Sequence, residues 1–449
     1  MRAVVVGAGI TGLAAAWELR RLDHDVVVLE HSSEVGGKLV TGHLATSQIE
    51  LGPDSFLTRT PAALELVDDL DLELLAPSAS QALLFRRGER RAIPPGLVLG
   101  APPTVQAALA SPLVGPIARL RAAWGVLARS RRGHESDDLG HIAAWRWGGA
   151  WVRTHIEPLV GGINANTVLG LSARVSAPNI LDLPPSGPRP PRPAAAGRPA
   201  FLAPRGGLGE LVAALRAQLV TGGVSIETNH PAAAIEHTSS GLRVISATTS
   251  HEADLVVVAT PAFETARLLA GSSPEAAALL RGVRYASVSV LGAELATVEL
   301  PEQLRGVAGV LVAREEGLLS TAVTLASEKW PHWSPEGRTL LRISTGSLYD
   351  HRHLERDEEA LTEDLLAEAS GILGLELKPV ATQLTRWQRA FPHFPPWHQD
   401  LVARLDALVL DTFGPQLALA GAWRGGSGIP TCIASGRAAA ARALEGVGA

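Results

Sequence analysis

The first 38 residues spell out one folding unit. Ala3 to Val6 is a short apolar, β-branched run of the kind that forms a buried parallel strand. Gly7-Ala8-Gly9-Ile10-Thr11-Gly12 follows at once. A helical stretch from Ile10 to about Leu22 comes next, then a second strand over Val26–Leu29 with Glu30 at its end. Gly7 allows the tight turn out of the strand, Gly9 lets backbone approach a pyrophosphate, and Gly12 lets the helix pack closely on the sheet. The helix start aims its free N–H groups and positive dipole end at the phosphates. Glu30 lies roughly 20 residues past the loop, where an acid accepts hydrogen bonds from an adenosine ribose. A glycine fingerprint alone is weak. Strand, loop, helix, strand and acid in this order predict a dinucleotide-binding βαβ unit, and with it an α/β, Rossmann-like domain built on a parallel sheet.

An acid at position 30 would repel a 2′-phosphate, which disfavours NADP. Glu34-Val35-Gly36-Gly37-Lys38 follows directly. Its glycine pair gives backbone N–H groups access to a second phosphate, and Lys38 adds positive charge. This run after the ribose acid resembles the FAD-dependent amine oxidase superfamily, and NAD dehydrogenases generally lack it. FAD is therefore the expected cofactor. A second glycine segment stands near the C-terminus: Gly421 ends a strand, Gly425-Gly426-Ser427-Gly428 forms a loop, and Ile429-Pro430 precedes a helix. Gly428 permits close backbone approach. A helix N-terminus there suits the anionic edge of a reduced isoalloxazine.

Of the 449 residues, 46% are hydrophobic and 19% charged, with a formal net charge of −5, so no global basic field marks the chain for nucleic acid. The single cysteine, Cys432, excludes an internal disulfide framework and a cysteine metal site. The chain enters its first strand directly after Met1-Arg2, which predicts no signal peptide and a cytoplasmic protein. No apolar run reaches the ~20 residues of a spanning helix, which leaves room for peripheral membrane contact.

The pattern along the chain predicts discontinuous domains. Residues 1–75, 200–275 and 405–449 read as the FAD-binding domain, 76–180 as a helical insert, 181–199 as a proline-rich linker and 276–404 as an antiparallel-sheet substrate domain, an α+β assembly overall. Pro61 to Leu75 reads as an amphipathic helix with Thr60 as its N-cap. Leu83 to Ile93 reads as a hairpin around Arg87-Gly88-Glu89, and Arg129 to Arg132 as a local basic cluster. The prolines between Pro184 and Pro193 predict an extended surface connection. The last helix is expected over Gly436–Leu444.

Several segments, in order along nearly the whole chain, resemble the protoporphyrinogen/coproporphyrinogen oxidase family. They are Gly52-Pro53-Asp54-Ser55-Phe56, Glu157-Pro-Leu-Val-Gly-Gly-Ile163, Arg205-Gly-Gly-Leu208, Ser327-Glu-Lys-Trp-Pro331, Arg386-Trp387 and Gly428-Ile-Pro-Thr-Cys-Ile433. The resemblance implies FAD-dependent oxidation of a porphyrinogen with O2 as acceptor and H2O2 as product, in heme synthesis. It lies closest to bacterial coproporphyrinogen III oxidases. Protoporphyrinogen IX remains an alternative substrate, and single motifs are shared with monoamine oxidases and carotene desaturases. The resemblance also leaves room for transient contact with the next heme-pathway enzyme.

By the same resemblance, Gly7, Ala8, Gly9, Ile10, Thr11, Gly12, Glu30, Gly36, Gly37 and Lys38 hold the ADP half, with Ala232 against adenine. Gly52, Pro53, Asp54, Ser55 and Trp387 run beside the flavin. Gly421, Gly428, Ile429, Pro430 and Ile433 hold its isoalloxazine end. Arg59 faces substrate carboxylates, where a planar guanidinium suits a propionate. Asn164 stands where relatives often carry tyrosine, and His398 matches a family histidine. No acid/base pair or metal cluster stands out, so the flavin is expected to carry the chemistry.

Overall fold

A computed structural model describes residues 1–128, 136–183, 199–239 and 241–447. The basic cluster Arg129–Arg132 and the proline run from Pro184 to Pro193 lie outside the described residues.

Three distant parts of the chain build one parallel sheet. Its strands run Ser225–Glu227, Asp25–Leu29, Arg2–Val6, Leu255–Val258 and Leu417–Leu419. Val5, Val28 and Val257 turn to one side, where they pack with helices Ile10–Arg21, Leu208–Thr221 and Ile429–Val447. Val4, Val6, Val256 and Val258 turn to the other. There a three-stranded antiparallel sheet, containing Ile235 and Val244, and the helix His398–Phe413 cover them. Burial on both faces explains why these strands read as unbroken apolar runs.

A second sheet has seven strands, in the order Pro379–Pro392, Tyr285–Ala296, Arg338–Thr345, Ser320–Leu325, Val307–Val312, Gln81–Arg86 and Glu89–Ala92. All neighbours are antiparallel except Val307–Val312 with Gln81–Arg86. The predicted hairpin thus forms, with Arg87 and Gly88 at φ 55° and 71° as a tight hairpin turn requires. It lies in this sheet rather than among the helices. Helix Glu358–Leu373 covers one face through Leu361, Leu365 and Ile372, and Asp357 caps its start by accepting the Ala360 N–H at 2.8 Å.

Between the hairpin and the linker come helices Val105–Ala110, Pro116–Leu127 and Leu139–Trp147, a π-helical run over Val152–Gly161 with Pro158 inside it, and the short helices Ala173–Ser176 and Pro178–Leu181, among others. Trp147 and Trp151 are fully buried at their centre.

Four local expectations change. The helix expected over Pro61–Leu75 spans only Ala62–Asp69. Acidic Asp68, Asp69 and Asp71 oppose the negative end of the helix dipole, Asp71 turns to φ 52°, and Leu74–Leu75 instead pairs with Ala203–Pro204. The last helix begins at Ile429, seven residues before the expected Gly436. The 14-residue strand Pro379–Pro392 went unpredicted, with prolines at both ends; it lies on a sheet edge, where proline is tolerated. Helix His398–Phe413 was also unread, and it runs across position 405, where a domain boundary was expected.

Candidate cofactor and substrate site

The first glycine loop is closed behind and open in front. Gly7, at φ 101°, donates its N–H to Leu29 O at 2.8 Å, and a Cβ on Gly12 would collide with the Gly7 carbonyl. A Cβ on Gly9 would meet nothing within 4 Å among the described residues. The free space is thus where a pyrophosphate approaches. Gly36 and Gly37, at φ 102° and 63°, come up beside it. The Gly36 N–H donates to Ala8 O at 2.7 Å, and Gly9 and Gly36 form a parallel bridge. The Lys38 side chain is accessible yet ringed by protein, as on a cavity wall, and that desolvation lowers its pKa.

Glu30 is 7% exposed and already engaged. One carboxylate oxygen accepts the Ala8 N–H at 2.7 Å. The other accepts from Ser32 N and Oγ at 2.9 and 2.7 Å. Besides marking the strand end, Glu30 therefore ties that end to the glycine loop. Asn229 and His230 bond to the backbone of Ser32 and Glu30, which brings buried Ala232 to this end of the groove.

The two ends of the cradle meet through a helix crossing. Gly436 of the last helix lies so close to Thr11 of the first that a Cβ there would collide with the Thr11 carbonyl. The crossing lies two turns into the last helix and fixes where that helix, with its N-terminus at Ile429, sits against the first. Gly421, at φ 133°, is held by the Ser435 hydroxyl at 3.1 Å, and the space around Gly428 is open to 3.8 Å. Ile433 is fully buried behind, and burial raises the Cys432 thiol to about 11.

Gly52 packs on the Lys38 carbonyl with no room for a Cβ. The next residues reach a charge cluster that the sequence reading missed. Lys329 Nζ lies 2.9 and 2.7 Å from the Asp54 carboxylate oxygens, and Arg342 lies 3.3 Å from Asp54 and donates to Gly52 O. Burial pushes the Asp54 acid up, but Lys329 and Arg342 outweigh it and hold the pKa near about 2. Signals for both cations were present. Lys329 stands inside Ser327-Glu-Lys-Trp-Pro331, and Arg342 interrupts the apolar run Leu340-Leu341-Arg342-Ile343. Trp387 closes the same region, its indole N–H donating to Leu51 O at 2.7 Å.

Glu50 is fully buried and caps helix Leu208–Thr221, accepting Leu208 N–H at 2.8 Å and the Thr41 hydroxyl at 2.7 Å on the same oxygen. Gly207, at φ 84°, leaves no space for a Cβ beside it, which accounts for the Arg205-Gly-Gly-Leu208 motif. Burial raises the Glu50 acid to about 7.

Residues paired directly across strands share a face, as do residues two apart on one strand. Arg342 therefore identifies the sheet face that turns to Asp54. One rung on that face reads Gln383, Gly292, Arg342, Thr324, Gly309; the next reads Thr385, Val290, Ser344, Ala322, Leu311. Small side chains dominate, and Ser344, Ala322, Leu311 and Thr385 stay half-buried. Ile49 packs over this face at Gly292, so the open part lies along the second rung, which crosses five strands at roughly 4.8 Å spacing, about 19 Å. The π-helical run approaches its far side, where Glu157 sits 3.2 Å from Arg314.

Arg59 is exposed in the turn after Phe56–Leu57. Asn164 donates its side-chain amide to Val160 O at 2.8 Å, finishing the π-helical run. His398 is 1% exposed, with Nε2 2.6 Å from Trp423 O, and desolvation lowers its pKa. It fastens the helix His398–Phe413 to the segment after the last strand.

A family model described as flavin containing amine oxidoreductase matches residues 10–151 and 183–444. The coproporphyrinogen III oxidase of Bacillus subtilis (strain 168) is 28% identical over 98% of this chain and 97% of its own. That of Mycobacterium tuberculosis (strain ATCC 25618 / H37Rv) is 29% identical over 97% and 95%. A crystal structure from Exiguobacterium sp. 255-15, provisionally named a protoporphyrinogen oxidase, superposes with a TM-score of 0.85 at 27% identity, covering 99% of each chain.

Proposed function

The chain belongs to the family of flavin containing amine oxidoreductases, and from that premise we propose that it oxidises coproporphyrinogen III to coproporphyrin III in heme synthesis, with O2 as acceptor and H2O2 as product. The observation that carries this reading is the alignment with a coproporphyrinogen III oxidase over 98% of the chain, both sheets and the intervening helices included. The geometry supports it. A floor of small side chains suits a broad flat substrate, and it adjoins the loop that borders the cofactor cradle.

FAD supplies the redox chemistry: three rounds of hydride and proton removal take six hydrogens from the macrocycle, and three O2 become three H2O2. The protein positions and shields. Gly7, Ala8, Gly9, Ile10, Thr11, Gly12, Gly36, Gly37 and Lys38 hold the pyrophosphate, and Glu30 and Ala232 the adenosine. Gly421, Gly428, Ile429, Pro430 and Ile433 hold the isoalloxazine end. Gly52, Pro53, Asp54, Ser55 and Trp387 flank the ring, and Lys329 with Arg342 keeps that loop in one place. Arg59 meets a substrate propionate, while Asn164 and His398 act through the elements they fasten. The protein works in the cytoplasm and passes its product to the next heme-pathway enzyme by transient contact.

Anaerobic mixing tests this. Coproporphyrinogen III is expected to bleach the flavin band of the purified yellow protein, and simple amines are not. Bleaching by amines alone would overturn the reading. Bleaching about tenfold faster with protoporphyrinogen IX, a difference worth ~1.4 kcal/mol, would move the substrate assignment to that compound.

A further inference from the structure

Arg267 links two elements at opposite ends of the cofactor cradle. It stands on helix Ala262–Leu269, which follows directly on the parallel strand Leu255–Val258 by way of Ala259, Thr260 and Pro261. That connection backs the first glycine loop: a Cβ on Gly7 would lie 3.1 Å from Ala259 O and 3.3 Å from Thr260 Cγ2. From the last turn of the helix the Arg267 guanidinium donates to Ala232 O at 2.7 Å and to Ala233 O at 3.3 Å. Glu264, one turn earlier, accepts the Arg267 Nε–H at 2.9 Å and orients the group.

The two carbonyls belong to a kink. Ala232–Thr238 is an edge strand of the three-stranded sheet, and Ala233 is an extra residue in its pairing with Gly241–Ser246. Consecutive carbonyls of a regular strand point to opposite edges, so a guanidinium that reaches both holds backbone turned by the bulge. Bulges of this kind re-aim a side chain beside a binding site. On the other side of Ala232 the chain is irregular too. Asn229 has φ 56°, and the N–H groups of Asn229 and His230 donate to Ser32 O and Glu30 O at 2.9 and 2.8 Å. Ala232 therefore lies between two fixed points, one tied by backbone to the Glu30 end of the groove and one tied by Arg267. The Arg267 side chain is 49% exposed, so its bonds rather than its packing hold the kink.

We propose that Arg267 is a positioning residue for the adenosine end of the cofactor. It acts through the backbone it holds: the guanidinium fixes the Ala232–Ala233 bulge, and the bulge presents Ala232 to the adenine. The inference rests on FAD as the cofactor and on Ala232 as the residue at its adenine.

Titrating the flavin-free full chain with FAD, ADP and FMN tests it. Arg267→Ala is expected to weaken FAD binding about tenfold and ADP binding by the same factor. FMN, which lacks the adenosine, is expected to bind as it does to the parent chain. Arg267→Lys keeps the charge but loses the planar fork that spans two carbonyls, so it is expected to recover part of the loss. Should the alanine variant not fold, the lysine variant is expected to show the same pattern at about threefold. Unchanged FAD affinity in the folded variants, or FAD and FMN weakened alike, would overturn the proposal and leave the cofactor assignment standing. Failure of the parent chain to take up FAD would overturn both.

Discussion

The dinucleotide cradle and the Asp54 clasp lie side by side and are specified in opposite ways. The cradle is made by backbone and by the absence of side chains. Each of its loops is contiguous in sequence, and its glycines are needed where a Cβ would strike a carbonyl, as at Gly12 and Gly436. The clasp is made by charged side chains from positions 54, 329 and 342, brought together from a loop, a short helix and a strand of the seven-stranded sheet. Backbone sites leave a local trace in the sequence, whereas a cluster drawn from distant elements shows only its separate members.

The sharpest way to break the contrast is Asp54→Ala. It leaves the buried Arg342 and the half-buried Lys329 without their carboxylate and is expected to cost about 3 kcal/mol or more, read as a lowered urea midpoint. Asp54→Asn keeps the shape and is expected to cost less. A destabilisation below that of an ordinary surface substitution would show that the clasp holds nothing. The same group predicts an acid limb. Its pKa lies below the usual carboxylate value, so its stabilisation is complete above about pH 4 and is lost as pH falls towards 2.

The next largest effect belongs to the cradle. Gly436→Val would push the last helix off the first, costing about 3 kcal/mol by overpacking. Flavin content after purification is expected to fall with it, because the Ile429 N-terminus moves from its place. Retained flavin and an unchanged melt would mean that the crossing does not set the cradle.

Glu50→Gln gives the smallest shift and runs the other way. The Glu50 acid is raised to about 7 by burial, so the folded state holds a proton that the unfolded state releases earlier. Stability therefore falls as pH rises from about 4.5 to 7. Because both hydrogen bonds reach one oxygen, glutamine keeps the cap without the charge. The variant is expected to lose that pH slope and gain about 2 kcal/mol at pH 8. A denaturation series across pH with parallel slopes for both proteins would refute the assignment.

Much of the fold was legible where periodicity and glycine chemistry coincide. The strand–loop–helix–strand unit at the start matches the structure within a residue or two. The last helix was read late because Gly436 looks like a boundary, yet it sits mid-helix where two helices touch. Pro379–Pro392 was missed because its prolines argue against a strand until its edge position is known. His398 was read as a substrate contact on family likeness, and its partner in the structure is the Trp423 carbonyl.

By itself the sequence determined that a glycine loop leads into a helix N-terminus near each end of the chain, since those constraints act on neighbouring backbone. Tertiary structure alone decided that Lys329 and Arg342 converge on Asp54 and that small residues from five strands tile one sheet face. Those facts depend on register and on which side of an element is covered, and both are set by packing between segments hundreds of residues apart.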